Sequence, residues 1–338
     1  NYKPTVVCCR RSNMDKKITV TVALVVAIVL PFLIRSEYYM HILVLALMYV
    51  MLTQGLNLLV GYVGQLSLGH HTFMALGAYS SALLSLKLGI PVILSMLIGA
   101  LIAAFLGYLM SKLTFRVRGS YFVILTTAFS EIARLVINNS TDITGGPMGV
   151  RNIPSFSIFG YVLKSKTSYY YLGLVLSVII IYVCDRIVDS KTGRAFAALR
   201  EEEGLANSVG ISYARFAMVA VVVGAFFAGI AGGYYAHYTN FISPDLLSFN
   251  NTLTILLMVV IGGKGTIFGP ILGSVIFSFV PELLRAVDNY RLPIYGIVLM
   301  VSALFMPKGI APILSNLYND AKKKYRKNKL NRSEGGIS

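Results

Sequence analysis

Ile18-Thr19-Val20-Thr21-Val22-Ala23-Leu24-Val25-Val26-Ala27-Ile28-Val29-Leu30-Pro31-Phe32-Leu33-Ile34 runs from Lys17 to Arg35 without one charged side chain. A helix in a water-soluble domain needs a polar face every few residues, and this stretch offers none. It is comfortable only in lipid, where about 20 apolar residues cross the hydrocarbon core. The rest of the chain repeats the pattern: 56% of its 338 residues are hydrophobic and 13% charged, against about 25% charged in ordinary globular domains. The expected fold class is all-α, a polytopic membrane protein.

Apolar blocks fall near 18–34, 41–60, 72–88, 91–112, 119–138, 169–187, 214–236, 250–262, 266–284 and 292–306, which makes about ten transmembrane helices. An even number places both termini on one side, and the positive-inside rule assigns that side to the cytoplasm. Of 30 Lys and Arg residues, Arg35, Lys87, Arg151, Lys164, Lys166, Arg285 and Arg291 fall outside and Arg134 within a block. The others lie inside, among them Lys16, Lys17, Arg116, Arg186, Lys191, Arg194, Arg200, Lys264 and a basic tail over 315–338. Residues 14–314 thus read as one multi-pass membrane domain. Residues 1–13, ahead of Met14-Asp15-Lys16-Lys17, read as a non-native or disordered extension. No small-x-small cleavage site follows Ile34, so the first block reads as an uncleaved span.

The net charge of +16 does not imply nucleic acid, because the basic residues sit between and beyond the apolar blocks, where they meet headgroups. Cys8, Cys9 and Cys184 supply neither a disulfide framework nor a metal-ligand spacing. Gly262-Gly263-Lys264-Gly265-Thr266 lacks the spacing of a phosphate-cradling loop, so the chain is not expected to hydrolyse ATP or to carry a cofactor. The expectation is a protein without catalytic residues or a metal.

Two polar segments are long enough to act. The external loop over 139–168 contains Thr144-Gly145-Gly146-Pro147, a turn signal and a candidate docking point. The inside segment 189–213 has Phe196, Leu199, Glu203, Ala206 and Val209 at helical spacing, with Gly210 placed to end the helix. It reads as one amphipathic helix, and its run Glu201-Glu202-Glu203 disfavours an anionic leaflet and favours docking on a protein.

Within the apolar part, Gly61-Tyr62-Val63-Gly64-Gln65-Leu66-Ser67-Leu68-Gly69-His70-His71 breaks the pattern. Its backbone groups cannot face hydrocarbon unpaired, so the break packs on protein or lines water. Gly64, Gln65, Ser67, Gly69 and His70 either border a substrate route or form a loop closely packed through small residues. Glu131 and Arg134, three apart on a helix, pair and are expected to face protein, whether against substrate or as a lock between helices. A weak two-half echo joins Leu58–Gly77 to Leu256–Gly273 and Glu131-x-x-Arg134 to Glu282-x-x-Arg285. Interrupted segments at matching places in two halves mark substrate sites in transporters.

From Ile18 to Leu314 the chain resembles the permease subunits of branched-chain amino acid ABC importers, specifically the M-type partner of the pair. The stretches that carry the likeness are Leu56-Asn57-Leu58-Leu59-Val60-Gly61-Tyr62-Val63-Gly64-Gln65-Leu66-Ser67-Leu68-Gly69-His70, Gly119-Ser120-Tyr121-Phe122, Glu131-Ile132-Ala133-Arg134 and Thr144-Gly145-Gly146-Pro147-Met148-Gly149. Phe241-Ile242-Ser243-Pro244-Asp245 and Met258-Val259-Val260-Ile261-Gly262-Gly263-Lys264-Gly265-Thr266-Ile267-Phe268-Gly269-Pro270 complete the series. The resemblance implies a bacterial cell-membrane complex with a second related permease, two P-loop ATPase subunits that bind the ATP, and an external substrate-binding protein. It also implies that the inside segment couples to the ATPase, with Arg200, Glu201, Glu202, Glu203, Ala206 and Gly210 as the candidate contacts. Here Gly204 and Leu205 interrupt the Glu-Ala-Ala-x-x-x-Gly pattern of the wider superfamily. Similar permeases carry urea or short amides, and an ion-coupled secondary carrier is the reading from another class.

Overall fold

The computed structural model describes residues 24–283, except 35, 115–118, 159–160 and 164, and a few positions between 293 and 310. The 1–13 extension, the 315–338 tail and, apart from those few positions, the expected span over 292–306 lie outside the described residues. The chain is helical almost throughout: α1 Leu24–Leu33, α2 Glu37–Asn57 continuing through a π-helical turn Leu58–Val63, α3 His70–Leu88, α4 Val92–Thr114 and α5 Ser120–Asn139. There follow the single turn α6 Thr141–Thr144, α7 Lys166–Asp189, α8 Lys191–Glu201, α9 Glu203–Ser208, α10 Tyr213–Thr239, α11 Phe249–Gly263 and α12 Phe268–Leu283. Two-residue strands complete it: β1 Val150–Arg151 pairs antiparallel with β4 Phe241–Ile242, and β2 Ser157–Ile158 with β3 Tyr161–Val162.

Among the described residues, five helices are long and apolar enough to cross a membrane: Glu37–Val63, Val92–Thr114, Ser120–Asn139, Lys166–Asp189 and Tyr213–Thr239. The described parts of the other apolar blocks, α3, α11 and α12, are helical but depart from full crossings. α3 opens on His70-His71-Thr72, all buried, so its first turn is polar and inside the protein. α11 and α12 have 15 and 16 residues, about 23 Å each, short of the roughly 30 Å of hydrocarbon.

α2 and α10 are the centre, with α10 against α3 and α4, and α7, α11 and α12 against α2. α4 shows the physical rule. It buries Ser95, Gly99, Ala100, Ala103 and Gly107 and exposes Leu94, Leu97, Leu101, Phe105, Leu109 and Leu113. That is the reverse of a soluble helix. Lipid tails are as apolar as leucine, so helix association comes from small residues that let backbones approach.

The 27 residues of α10 extend about 40 Å, so its two ends belong to opposite ends of the molecule. At the Thr239 end, β4 holds the 139–163 loop through β1, and Asn240 Nδ2 donates to the Ile153 carbonyl at 2.7 Å. Tyr234 donates to the Tyr169 carbonyl at 2.8 Å and Tyr169 to the His237 carbonyl at 2.9 Å. His237 lies between the Pro154 carbonyl (Nδ1, 2.7 Å) and Ser81 Oγ (Nε2, 2.8 Å). A carbonyl only accepts, so Nδ1 carries the proton and Nε2 accepts from the serine. At the Tyr213 end lie α8 and α9.

Candidate functional site

The glycine break is the point where four other segments meet. The π-helical turn Leu58–Val63 ends at Gly64, whose φ of 85° is left-handed and open to glycine. Gly61 stands where a Cβ would collide with Asn57 Oδ1 and the Gly265 amide, so the turn joining α11 to α12 approaches backbone to backbone. Asn57 closes that contact, accepting from the Gly265 amide and donating to the Thr266 carbonyl, both at 2.9 Å. Gln54 adds a bond to the Ile267 carbonyl at 2.8 Å. Gln65 accepts from the Tyr213 hydroxyl at 2.9 Å and donates to the Gly119 carbonyl at 3.3 Å, reaching α10 and the start of α5. The Leu68 amide donates to Thr126 Oγ1 of α5 at 3.2 Å.

The fourth visitor is Arg200 of α8, whose guanidinium donates to the Gly61 carbonyl at 2.7 Å. The 189–213 segment is not the single helix its spacing predicts. α8 stops at Glu201, Glu202 is extended (φ −152°, ψ 101°), and α9 restarts at Glu203. The extended Glu202 divides the segment, with Phe196 and Leu199 buried on one side of the break and Ala206 on the other. Val209, expected on the same face, is instead 71% exposed, and Leu205 is 68% exposed. Gly210 ends the segment with φ 85°. Of the candidate coupling residues, Ala206 is buried and Glu203 half-buried; Arg200 is exposed although its guanidinium reaches the Gly61 carbonyl, and Glu201, Glu202 and Gly210 are exposed beside Leu205 and Val209.

Along α5 a cleft of about 460 Å³ is lined by Leu68, Ser130, Glu131, Arg134, Asn138, Pro147, Asp245, Leu247, Phe249 and Thr252, among others. Arg134 Nε and Nη2 donate to the two Glu131 carboxylate oxygens, each at 2.8 Å, a bidentate pair. The expected pairing is present, but the two side chains are 38% and 54% exposed in this chain rather than covered by it, because the cleft opens on that face of α5. Below the pair lies His71, fully inside. Its Nδ1 is 2.8 Å from Thr252 Oγ1, and its Nε2 is 3.0 Å from Ser130 Oγ and 3.3 Å from the Leu247 carbonyl. The carbonyl fixes the proton on Nε2, so Nδ1 accepts from Thr252.

The expected pathway residues thus separate. Glu131 and Arg134 line the cleft; Gly64 and Gln65 lie at the junction with α8 and α10; Ser67, Gly69 and His70 are buried in helix packing. His70 is wedged where α2 and α10 meet at Gly55 and Gly224, and its Nε2 has no hydrogen-bond partner among the described residues. On the loop side, the buried Thr144 hydroxyl donates to the Ile137 and Ser140 carbonyls, Gly145 and Gly146 take positive φ, and Pro147 alone of the four reaches the cleft. Sequence reasoning passed over Gln54, Asn57, His71, Ser130, Asp245 and Thr252; polar side chains inside otherwise apolar blocks were the available signal for Gln54, Asn57, Ser130 and Thr252. Among the described residues no three His, Cys, Asp or Glu are grouped to hold a metal ion, and Cys184 is free and buried.

A chain of apolar helices that exposes leucine, buries glycine and keeps its interrupted backbone inside protein is a multi-pass helical membrane protein. It belongs to the family described as the permease component of branched-chain amino acid transport systems, whose model matches residues 38–304. It is 33% identical over 325 residues to the high-affinity branched-chain amino acid transport system permease protein LivM of Escherichia coli, covering 89% of this chain and 76% of that protein. It is 23% identical over 283 residues to the LivH permease protein of the same organism, covering 78% of this chain and 90% of that one. To the ribose import permease protein RbsC of Haemophilus influenzae it is 24% identical over 285 residues, covering 80% and 83%. No solved structure matches the chain.

Proposed function

We propose that this chain is a transmembrane permease subunit of an ATP-driven importer for branched-chain amino acids, giving alternating access under the power of separate ATPase subunits. Its partners in this reading are a second, related permease, two P-loop ATPase subunits that bind ATP, and an external substrate-binding protein, in a bacterial cell membrane with both termini cytoplasmic. About ten spans in two echoing halves, and no cofactor on this chain, belong to the same reading.

The observation that carries it is the α5 cleft in a chain of this family. The cleft sets the Arg134 cation and the Glu131 and Asp245 carboxylates beside Leu68, Leu247 and Phe249. A zwitterion with an apolar side chain needs both charges and a greasy wall. The pair is open in the single chain, which supports a second permease closing the route from the other side. At the other end, Leu205 and Val209 beside Glu201 and Glu202 form an exposed apolar and acidic knob suited to an ATPase groove.

The test is reconstitution with the three partner subunits and the binding protein in vesicles. Uptake of leucine, isoleucine or valine that requires enclosed ATP supports the proposal. Ion-driven uptake by this chain alone contradicts it, and uptake of urea or acetamide in place of leucine reassigns the substrate.

A further inference from the structure

We propose that Arg200 is the positioning residue that carries movement of the α8–α9 segment into the glycine break, and from there into the cleft. The inference rests on the ATP-driven reading above and adds the atom-level route.

Three observations converge on it. The Arg200 guanidinium reaches out of its helix to the Gly61 carbonyl at 2.7 Å, a charge-assisted bond to a backbone group. That carbonyl is available because the π-helical turn ends at Gly64, beyond which helical partners stop. The side chain also fits a slot made by absent atoms: a Cβ on Gly64 would stand 3.1 Å from Arg200 Cγ, and one on Gly265 2.5 Å from Nη1. Glycines at 64 and 265 thus make room for one arginine.

From the break the links run onward without a gap. Asn57 binds the α11–α12 turn. Gln65 binds Gly119 at the head of α5, and Leu68 binds Thr126 one turn before Ser130 and Glu131. Leu68 is itself a cleft wall. A pull on α8 is therefore felt by the helix that carries the Glu131–Arg134 pair. Coupling of this kind demands a physical element whose arrangement both sites bias.

The experiment uses the assembled complex with Arg200→Met, which keeps the stem over Gly64 and removes the donors, and Arg200→Lys, which keeps a charge. Solute imported per ATP hydrolysed is expected to fall about tenfold or more in Arg200→Met, with Arg200→Lys between it and the parent. Hydrogen exchange over residues 58–66 in the same complexes, read without ATP, is expected to speed up in the same order. An unchanged ratio of solute to ATP in Arg200→Met, with exchange also unchanged, overturns the route. So does a loss of uptake and hydrolysis in equal proportion. A parent complex without ATP-dependent uptake sinks the functional reading instead, and the exchange comparison then decides the Arg200 contact by itself.

Discussion

Asn57 and Gly265, more than 200 positions apart in the chain, are joined at 2.9 Å through Asn57 Oδ1 and the Gly265 amide, while the same side chain donates to the Thr266 carbonyl. Two glycine-rich stretches of the sequence thus form one structural unit, pinned by a side chain that is 1% exposed. Asn57→Ala leaves a buried amide and a buried carbonyl unpaired, a loss of about 1–3 kcal/mol. Asn57→Asp is expected to be worse, since it removes the donor to Thr266 and buries a carboxylate. Thermal unfolding in detergent should rank the parent above Asn57→Ala and that above Asn57→Asp; equal midpoints for all three would show that Asn57 does not hold the unit.

His70 and His71 are adjacent but unequal. His71 holds Ser130 and Thr252 in the cleft wall, whereas His70 Nε2, at a helix crossing, has no hydrogen-bond partner among the described residues. His71→Leu should lower stability by about 1–3 kcal/mol and raise the substrate concentration for half-maximal uptake. His70→Leu should lower stability less. The reverse order in a paired melting experiment would assign the polar role to the wrong histidine.

Glu131 and Arg134 bind each other bidentately in the open cleft. An exposed pair adds little to folding, so its loss should be read in transport. Glu131→Ala is expected to reduce uptake about tenfold at normal expression, with the melting temperature of the chain nearly unchanged. Full uptake by that variant would remove the pair from the pathway.

Leu205 and Val209 are largely exposed at the tip of the broken α8–α9 segment. Leu205→Glu should leave stability within about 0.5 kcal/mol, as for most surface substitutions, yet abolish co-purification of the ATPase subunit. Undiminished co-purification would place the contact elsewhere.

Much of the fold was legible because lipid imposes a simple code: blocks of apolar residues give helices, and the expected blocks at 41–60, 91–112, 119–138, 169–187 and 214–236 match full-length crossings to within a few residues. The code says nothing about how such helices meet. α2 buries nearly every residue from Met48 to Asn57 whatever its polarity, so Gln54 and Asn57 give no periodic signal of the partners they reach in the α11–α12 turn. The 189–213 segment failed for a related reason. Its spacing fits one helix, but Glu202 is extended and leaves Val209 exposed, a break that the periodic spacing does not encode. The Glu131–Arg134 pair was legible as a pair because it is local. Its cleft was not, since Asp245, Leu247 and Thr252 arrive from more than 100 residues away.

The most direct measurement asks from which side the α8–α9 tip can be reached. In a chain with Cys8, Cys9 and Cys184 replaced by alanine, Val209→Cys can be treated with a membrane-impermeant maleimide in intact cells and in inverted vesicles. Labelling only in inverted vesicles, blocked when the ATPase subunits are bound, is the predicted result. Labelling of Val209→Cys in intact cells would put the acidic knob on the outer face, where no ATPase can drive it, and would contradict the account.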